Sequence, residues 1–190
     1  QFLFSPDKNL SPVANCDGLS NFYKKNLKII PYNDIEKSEK ILDKIKSKIS
    51  AIIIEPIQAC LPMEDAVKYL KFLEKFSKKN KIILIYDEMI TGVRTYEGSV
   101  QKKFNLKPSI STFGKCIGGG APIGVIGLSN EILNKLNKNK KKIYFGGTFS
   151  GNSISTFIGY NTLKYINQNK KIIIEINKKA NFIKTEINKF

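Results

Sequence analysis

The chain alternates between short apolar runs and longer amphipathic stretches. Apolar runs at 51–54, 82–86 and 123–128 predict strands, and further short strands are expected at 27–31 and 109–113. The first two of these runs are apolar at every position, which is typical of strands buried on both faces of a sheet.

Helical periodicity separates these strands. Predicted helices open near residue 33 and cover residues 64–79, 100–104, 130–136, 153–166 and 171–189. Asn33 followed by Glu36 resembles a capping box. In the second helix, Leu70, Leu73 and Phe76 share the face that we expect to be buried.

Strands that alternate with helices predict an α/β fold with a mostly parallel sheet. Residues 1–22 are rich in Pro, Ser and Asn and are expected to be a loop. A short apolar segment at 143–145 precedes a glycine turn at 146–148. In parallel sheets of this class, ligands bind at the carboxyl ends of the strands, where Asp87, Lys115 and Thr148 are expected.

The formal net charge is +16, and of the 32 lysine and arginine residues only Arg94 is an arginine. The lysines recur through 37–48, 68–81 and 170–189 among Glu and Asn, as on solvated helix faces. Because they form no compact arginine-rich or aromatic-interleaved patch, we expect no specific nucleic-acid binding. Nonspecific adhesion to polyanions remains an alternative.

The cysteine and histidine content limits the kinds of metal, disulfide and catalytic site that the chain can form. Three cysteines lack CxxC spacing and histidine is absent, so no metal site or disulfide framework is expected, and a reducing, cytoplasmic location is the default. Without histidine, the chain contains no Ser-His or Cys-His catalytic arrangement. No apolar run approaches the length of a membrane span. Because the chain begins with Gln1, the lack of a targeting segment is uninformative.

One lysine differs from the others. Lys115 is the only charged residue between residues 108 and 130, and its sequence neighbours are apolar or glycine. An ammonium group in apolar surroundings is poorly solvated, and a lysine that sheds its proton is a nucleophile able to form a Schiff base with an aldehyde. The alternative is a lysine at a strand end whose amine simply reaches water.

Asp87 ends the apolar run 82–86 and is expected at the carboxyl edge of the sheet. An acid that keeps the ring nitrogen protonated, together with a lysine that forms the Schiff base, is the arrangement that pyridoxal phosphate requires. Two alternatives stay open from spacing alone. Asp87 could cap the following segment, or it could form a simple salt bridge with Lys115.

Four segments resemble class III pyridoxal-phosphate aminotransferases. They are Glu55-Pro56, IYDEMITGVR at 85–94, the stretch from TFGK to Gly124 at 112–124, and GTFSGN at 147–152. Their order and spacing over residues 51–152 make the resemblance specific, whereas one motif alone would be weak. The glycine triplet after the lysine, Thr-Gly-Val-Arg and the apolar Ile90 resemble the glutamate-1-semialdehyde 2,1-aminomutase branch.

The resemblance implies a role for each site residue. Lys115 would form the Schiff base and shuttle protons, and Asp87 would pair with the pyridinium nitrogen. Thr148 would bind the phosphate of the cofactor in the neighbouring subunit of a homodimer, which suits a hydroxyl in a glycine turn that can act as an anion nest. Without the resemblance, Thr148 would be an ordinary turn residue. Arg94 is expected to give structural or interface support, or to be an isolated surface residue.

The resemblance also implies the domain organisation. Residues 1–168 would be the central part of the large domain of a fold-type-I pyridoxal-phosphate enzyme, and 169–190 a helix leading toward a small domain. The resembled enzymes are more than twice as long, so a partial chain is expected.

The implied activity is conversion of glutamate-1-semialdehyde to 5-aminolevulinate in tetrapyrrole biosynthesis. A transaminase acting between an amine or amino acid and a keto acid is the alternative, and a non-catalytic polyanion-binding fragment is a remote one. Segments 57–62 and 5–21 depart from the aminomutase pattern, so the substrate is the least constrained part of this prediction.

Overall fold

The computed structural model describes residues 4–62, 64–94, 98–138 and 146–189. It contains two compact units, residues 1–49 and residues 50–190. The predicted boundary at residue 168 stays a prediction.

The first unit begins with a small hairpin, in which β1 (Phe4–Pro6) pairs antiparallel with β2 (Pro12–Ala14). The short helix α1 (Asn21–Lys25) follows. The expectation of a loop over 1–22 therefore misses a hairpin. The strand expected at 27–31 is wrong, because residues 27–30 have no strand partner and a strand exists only where another strand accepts its hydrogen bonds.

Helix α2 (Ile35–Ile45) opens two residues later than the predicted cap. The capping residue is Asp34, whose side chain accepts a hydrogen bond of 3.0 Å from the backbone N–H of Lys37. This hydrogen bond lowers the pKa of the Asp34 carboxyl. Asn33 instead adopts a left-handed backbone conformation with φ 59°. The buried residues of α2 are Ser38 and Leu42.

Among its described residues, the second unit holds a four-stranded sheet and five α-helices. In chain order these are β3 (Ala51–Ile54), α3 (Val67–Asn80), β4 (Ile83–Asp87), α4 (Val100–Lys103), β5 (Ile110–Gly114), β6 (Gly124–Leu128), α5 (Asn130–Lys138), α6 (Ser153–Gln168) and α7 (Lys171–Ile187). The strand order is β3-β4-β5-β6; the first three strands run parallel and β6 is antiparallel to β5. The predicted α/β class with a mostly parallel sheet is confirmed. The apolar segment 143–145 lies outside the described residues.

One face of the sheet forms the core of this unit. Leu84 and Tyr86 of β4 are almost fully buried against α3, and the Tyr86 hydroxyl lies 3.5 Å from the carbonyl oxygen of Leu70. Leu70, Leu73 and Phe76 of α3 are buried as predicted, because they recur at helical spacing on the face turned to the sheet.

The other, open face is exposed on β3 and β6 and half-buried on β4, so the expectation of burial on both faces is wrong for β3. Ile53 is 65% exposed, although its neighbour Ile52 is only 7% exposed, and Ile126 of β6 is 57% exposed. Successive strand residues point to opposite faces, and an apolar run does not specify what covers the second face. Asp87 and Thr112 belong to this open face, which is where the site residues meet.

The two longest helices expose several apolar side chains. Phe157 and Tyr160 of α6 and Phe182 of α7 are each more than three-fifths exposed. Across the described residues, nevertheless, every helix is too short or too polar to traverse a lipid bilayer.

Candidate active site

The geometry of the site is set by the register between two neighbouring parallel strands. Asp87, the last residue of β4, lies directly opposite Thr112 of β5. β5 ends two residues after Thr112, at Gly114, and Lys115 follows directly. The carboxylate and the amine therefore extend from the same edge of the sheet, as the sequence predicts.

Asp87 is anchored through one of its two carboxylate oxygens. Its Oδ1 accepts a hydrogen bond of 3.0 Å from the Met89 backbone N–H and one of 3.2 Å from the Thr112 hydroxyl. Within the described residues, Oδ2 accepts no hydrogen bond, and Asp87 and Lys115 form no ion pair. Asp87 therefore does act as a local cap for the turn after β4, but it is not the salt-bridge partner of Lys115. One oxygen is left to meet a ligand.

Glu88 is the neighbour of Asp87 and points to the opposite, packed face of the sheet. It is fully buried, with 0% exposure. Its carboxylate accepts three hydrogen bonds of 2.9 Å, from the Thr91 hydroxyl and from the backbone N–H groups of Val100 and Gln101. A buried carboxylate needs such donors, because a charge without partners is expensive to bury. Glu88 thus ties the end of β4 to the start of α4.

Lys115 occupies a sharp turn at the end of β5. It begins a one-turn 3-10 helix, Lys115–Gly118, with a left-handed backbone φ of 48°. The side chain is exposed, which corrects the expectation of a poorly solvated amine in this chain. The physical reason is that the turn directs Ile117 and Gly118 inward and Lys115 outward, so apolar neighbours in sequence are not neighbours in space. The amine is accessible to a ligand.

Helix α6 packs on the turn that carries Lys115. Gly119 closes this turn in a left-handed conformation with φ 56°, and its Cα faces Ile158 and Thr162 of α6. A β-carbon at Gly119 would collide with the Thr162 hydroxyl oxygen, so only glycine allows this approach. The close contact between helix and turn keeps the lysine in place relative to α6.

Thr148 lies in an exposed turn just before α6. Asn152 caps α6, accepting a hydrogen bond of 3.0 Å from the Ser155 N–H. No backbone hydrogen bond joins the N–H groups of Thr148, Phe149 or Gly151 to another described residue. The turn and the start of β6 line an open groove of about 760 Å³, bounded by residues 122–125, 147–152 and 155–156.

The structure therefore places two of the three predicted residues at the carboxyl ends of neighbouring parallel strands. Asp87 and Lys115 share one edge of the sheet, whereas neither of them lines the groove that contains Thr148. Arg94 is exposed, and its carbonyl oxygen accepts a hydrogen bond of 3.4 Å from Asn177 of α7. Within the described ranges, no group of three or more Cys, Asp or Glu residues converges to form a metal site.

Sequence reasoning missed Thr112 and Glu88. Thr112 lay inside a quoted motif, but its contact with Asp87 depends on the strand register, which the sequence does not display. The burial of Glu88 could have been predicted, since the residue after an Asp at a strand end points to the opposite face of the sheet.

Comparison with protein families decides the class of this site. The model of the aminotransferase class-III family matches residues 16–190, which is most of the chain. The chain belongs to the class III aminotransferase family. Members of this family are enzymes that use pyridoxal phosphate.

The curated relatives point to one branch of the class III family. A glutamate-1-semialdehyde 2,1-aminomutase of Methanococcus maripaludis is 39% identical over 174 residues, which cover 90% of this chain and 40% of the relative. The chain thus spans about two-fifths of the length of the curated relatives that it matches.

Solved structures of class III enzymes share the fold. A structure described as a transaminase with PLP bound superposes with a TM-score of 0.73 at 25% identity, covering 85% of this chain and 38% of that one. An acetylornithine aminotransferase from Elizabethkingia anophelis has a TM-score of 0.70 at 30% identity, covering 84% and 41%.

We expect Glu88→Gln to destabilise the fold by about 3 kcal/mol, because an amide leaves at least one buried N–H facing another donor. Urea denaturation followed by circular dichroism measures the loss. Glu131→Gln is the matched control, since Glu131 is exposed and bonded only to Lys135. Equal stability of the two variants would contradict a structural role for the Glu88 carboxylate.

Proposed function

We propose that this chain forms the cofactor-binding region of a pyridoxal-phosphate enzyme that acts as a glutamate-1-semialdehyde 2,1-aminomutase. The observation that carries the proposal is the parallel register that sets Asp87 beside Thr112 and brings Lys115 to the same edge. The names of the curated relatives at 34–40% identity support the aminomutase branch. Because the chain spans only part of those relatives, activity and substrate remain proposals.

The residues present fit the cofactor. When bound, pyridoxal phosphate supplies a protonated ring that withdraws electrons as a proton leaves the substrate carbon. The exposed Lys115 amine can bond covalently to an aldehyde carbon and, when released, can accept and return a proton. Oδ2 of Asp87 has no hydrogen-bond partner in the part of the chain that the structure describes, and it can accept a hydrogen bond from a protonated ring nitrogen, which favours that charged form.

Thr148 has a different part in the proposal. Its hydroxyl and the nearby backbone N–H groups form an anion-binding concavity suited to a phosphate. Since Asp87 and Lys115 do not line this groove, we propose that Thr148 serves the site of a second copy in a homodimer. The proposed location is the cytoplasm, which is consistent with Cys16, Cys60 and Cys116 being free thiols.

A transaminase is the second candidate. It is favoured by the solved structures, which include an acetylornithine aminotransferase at 30% identity. Both candidates use the same cofactor chemistry. An aminomutase exchanges the amino group within one substrate molecule, whereas a transaminase transfers it from one substrate to another. A role limited to polyanion binding needs none of the site geometry, and its support is the net charge of +16 alone.

We expect Lys115→Ala to abolish covalent attachment of the cofactor in the full-length protein. Borohydride reduction makes the lysine–cofactor bond permanent, and mass spectrometry of the digested protein locates it. Lys40→Ala is the control, because Lys40 is an exposed helix residue paired with Glu36. Cofactor bonded covalently to another lysine in the wild type, or still bonded covalently in the Lys115 variant, would refute the assignment.

An aminomutase and a transaminase differ when only one substrate is supplied. We expect the enzyme loaded with the amino form of the cofactor to convert many equivalents of glutamate-1-semialdehyde without any keto acid, because the amino group is recycled within each turnover. Chromatographic detection of 5-aminolevulinate measures this. Turnover that stops at one equivalent and resumes when a separate amino donor is added would identify a transaminase, because the first amino transfer leaves the cofactor in its aldehyde form.

The subunit assignment of Thr148 predicts complementation between two inactive variants. Lys115→Ala and Thr148→Val chains, unfolded and refolded together, should regain about a quarter of the wild-type sites, because half of the dimers are mixed and one site in each is intact. The recovery is measured as the fraction of cofactor that the refolded protein retains and as its enzymatic activity. If Thr148 serves its own subunit, the mixture stays as defective as the separate variants. A Thr185→Val chain, altered at an exposed helix hydroxyl, controls for refolding losses.

A further inference from the structure

Thr112 differs from its neighbours on the open face of the sheet. Two of the adjacent positions on this face belong to Ile110 on the same strand and Ile126 on β6, and Asp87 of β4 is the charged neighbour. A valine or isoleucine would suit a β-strand in these surroundings at least as well as threonine. The hydroxyl therefore needs an explanation beyond strand formation.

That explanation is the contact with Asp87. The Thr112 hydroxyl donates to Asp87 Oδ1 at 3.2 Å, and the Met89 N–H donates to the same oxygen at 3.0 Å. Two donors from different directions restrict rotation of the carboxylate about its last bond. In the described part of the chain, the Thr112 hydroxyl is the one side-chain donor to Asp87.

The position of Thr112 is itself fixed by the backbone. Its carbonyl oxygen accepts a hydrogen bond of 2.9 Å from the N–H of Glu88, whose side chain is fully buried and held by three donors. The chain of contacts runs from the packed face of the sheet, through Glu88 and Thr112, to Asp87 on the open face. Asp87 is therefore oriented by a rigid part of the fold.

We propose that Thr112 is a positioning residue for the reaction: its hydroxyl fixes Oδ1 of Asp87 and leaves Oδ2 as the oxygen that pairs with the cofactor ring nitrogen. This inference rests on the proposed function, because it requires Asp87 to meet that nitrogen. Thr112 touches neither substrate nor cofactor in this proposal and acts through Asp87.

The deciding variants change one hydroxyl at a time in the full-length protein. Thr112→Val keeps the shape of the side chain and removes the donor, and Thr112→Ser restores the donor on a smaller side chain. Ser111→Ala is the matched control: Ser111 is the preceding residue, points to the opposite face and bonds Gln101 rather than Asp87. Thr112→Ala provides a second hydroxyl deletion, and thermal melting verifies that each variant is folded.

Two readouts are independent of turnover. Nitrogen NMR of pyridoxal phosphate labelled at its ring nitrogen reports protonation of that atom, and cofactor titration gives the dissociation constant. We expect Thr112→Val and Thr112→Ala to move the nitrogen signal toward the unprotonated position and to weaken cofactor binding about tenfold, which is what loss of a hydrogen bond to a charged group produces. Thr112→Ser and Ser111→Ala should match the wild type.

The failures of the two proposals are distinguishable. If the wild type binds the cofactor through Lys115, but folded Thr112→Val and Thr112→Ala proteins keep the wild-type nitrogen signal and affinity, the positioning role is overturned and the proposed function stands. If Ser111→Ala produces the same change as Thr112→Val, the effect is general to the strand and the role is also overturned. If the wild type forms no Lys115-dependent adduct, the proposed function fails and this inference fails with it.

Discussion

The candidate site depends on one constraint, the parallel pairing of β4 with β5. This pairing sets Asp87 opposite Thr112 and delivers Lys115 to the same edge, although the two charged residues lie far apart in sequence. In a parallel sheet, strands end together at one edge, and side chains that follow those ends converge without any long-range instruction. A one-residue slip would turn Thr112 to the other face and leave Asp87 without its side-chain donor.

Two consecutive carboxylates at that edge have different roles. Asp87 faces the open side, with one oxygen anchored and the other unpartnered among the described residues, while Glu88 faces the core and satisfies three donors. The strand period of two separates them onto opposite faces. One acid therefore stabilises the fold and the other remains available to a ligand. A site that must hold a cofactor firmly benefits from such support behind it.

Helix α6 connects the remaining parts of the site. Its N-terminal cap follows the Thr148 turn, and its middle packs against Gly119 in the turn after Lys115. Lys115, Ile53 and several apolar residues on α6 are exposed. The curated relatives are about two and a half times longer than the part matched here, and they belong to the same family.

The sequence alone determined the α/β class and most strands and helices, because hydrophobic periodicity is a local property, and it nominated Lys115 and Asp87 as candidate site residues. It could not determine which sheet face is covered, and the apolar run containing Ile53 was misinterpreted for that reason. It also missed the hairpin of β1 and β2, because these short segments lack an apolar run and are strands only through their pairing with each other. Only the tertiary structure joined Thr112 to Asp87, since that contact exists through strand register, and register is a relation between distant segments.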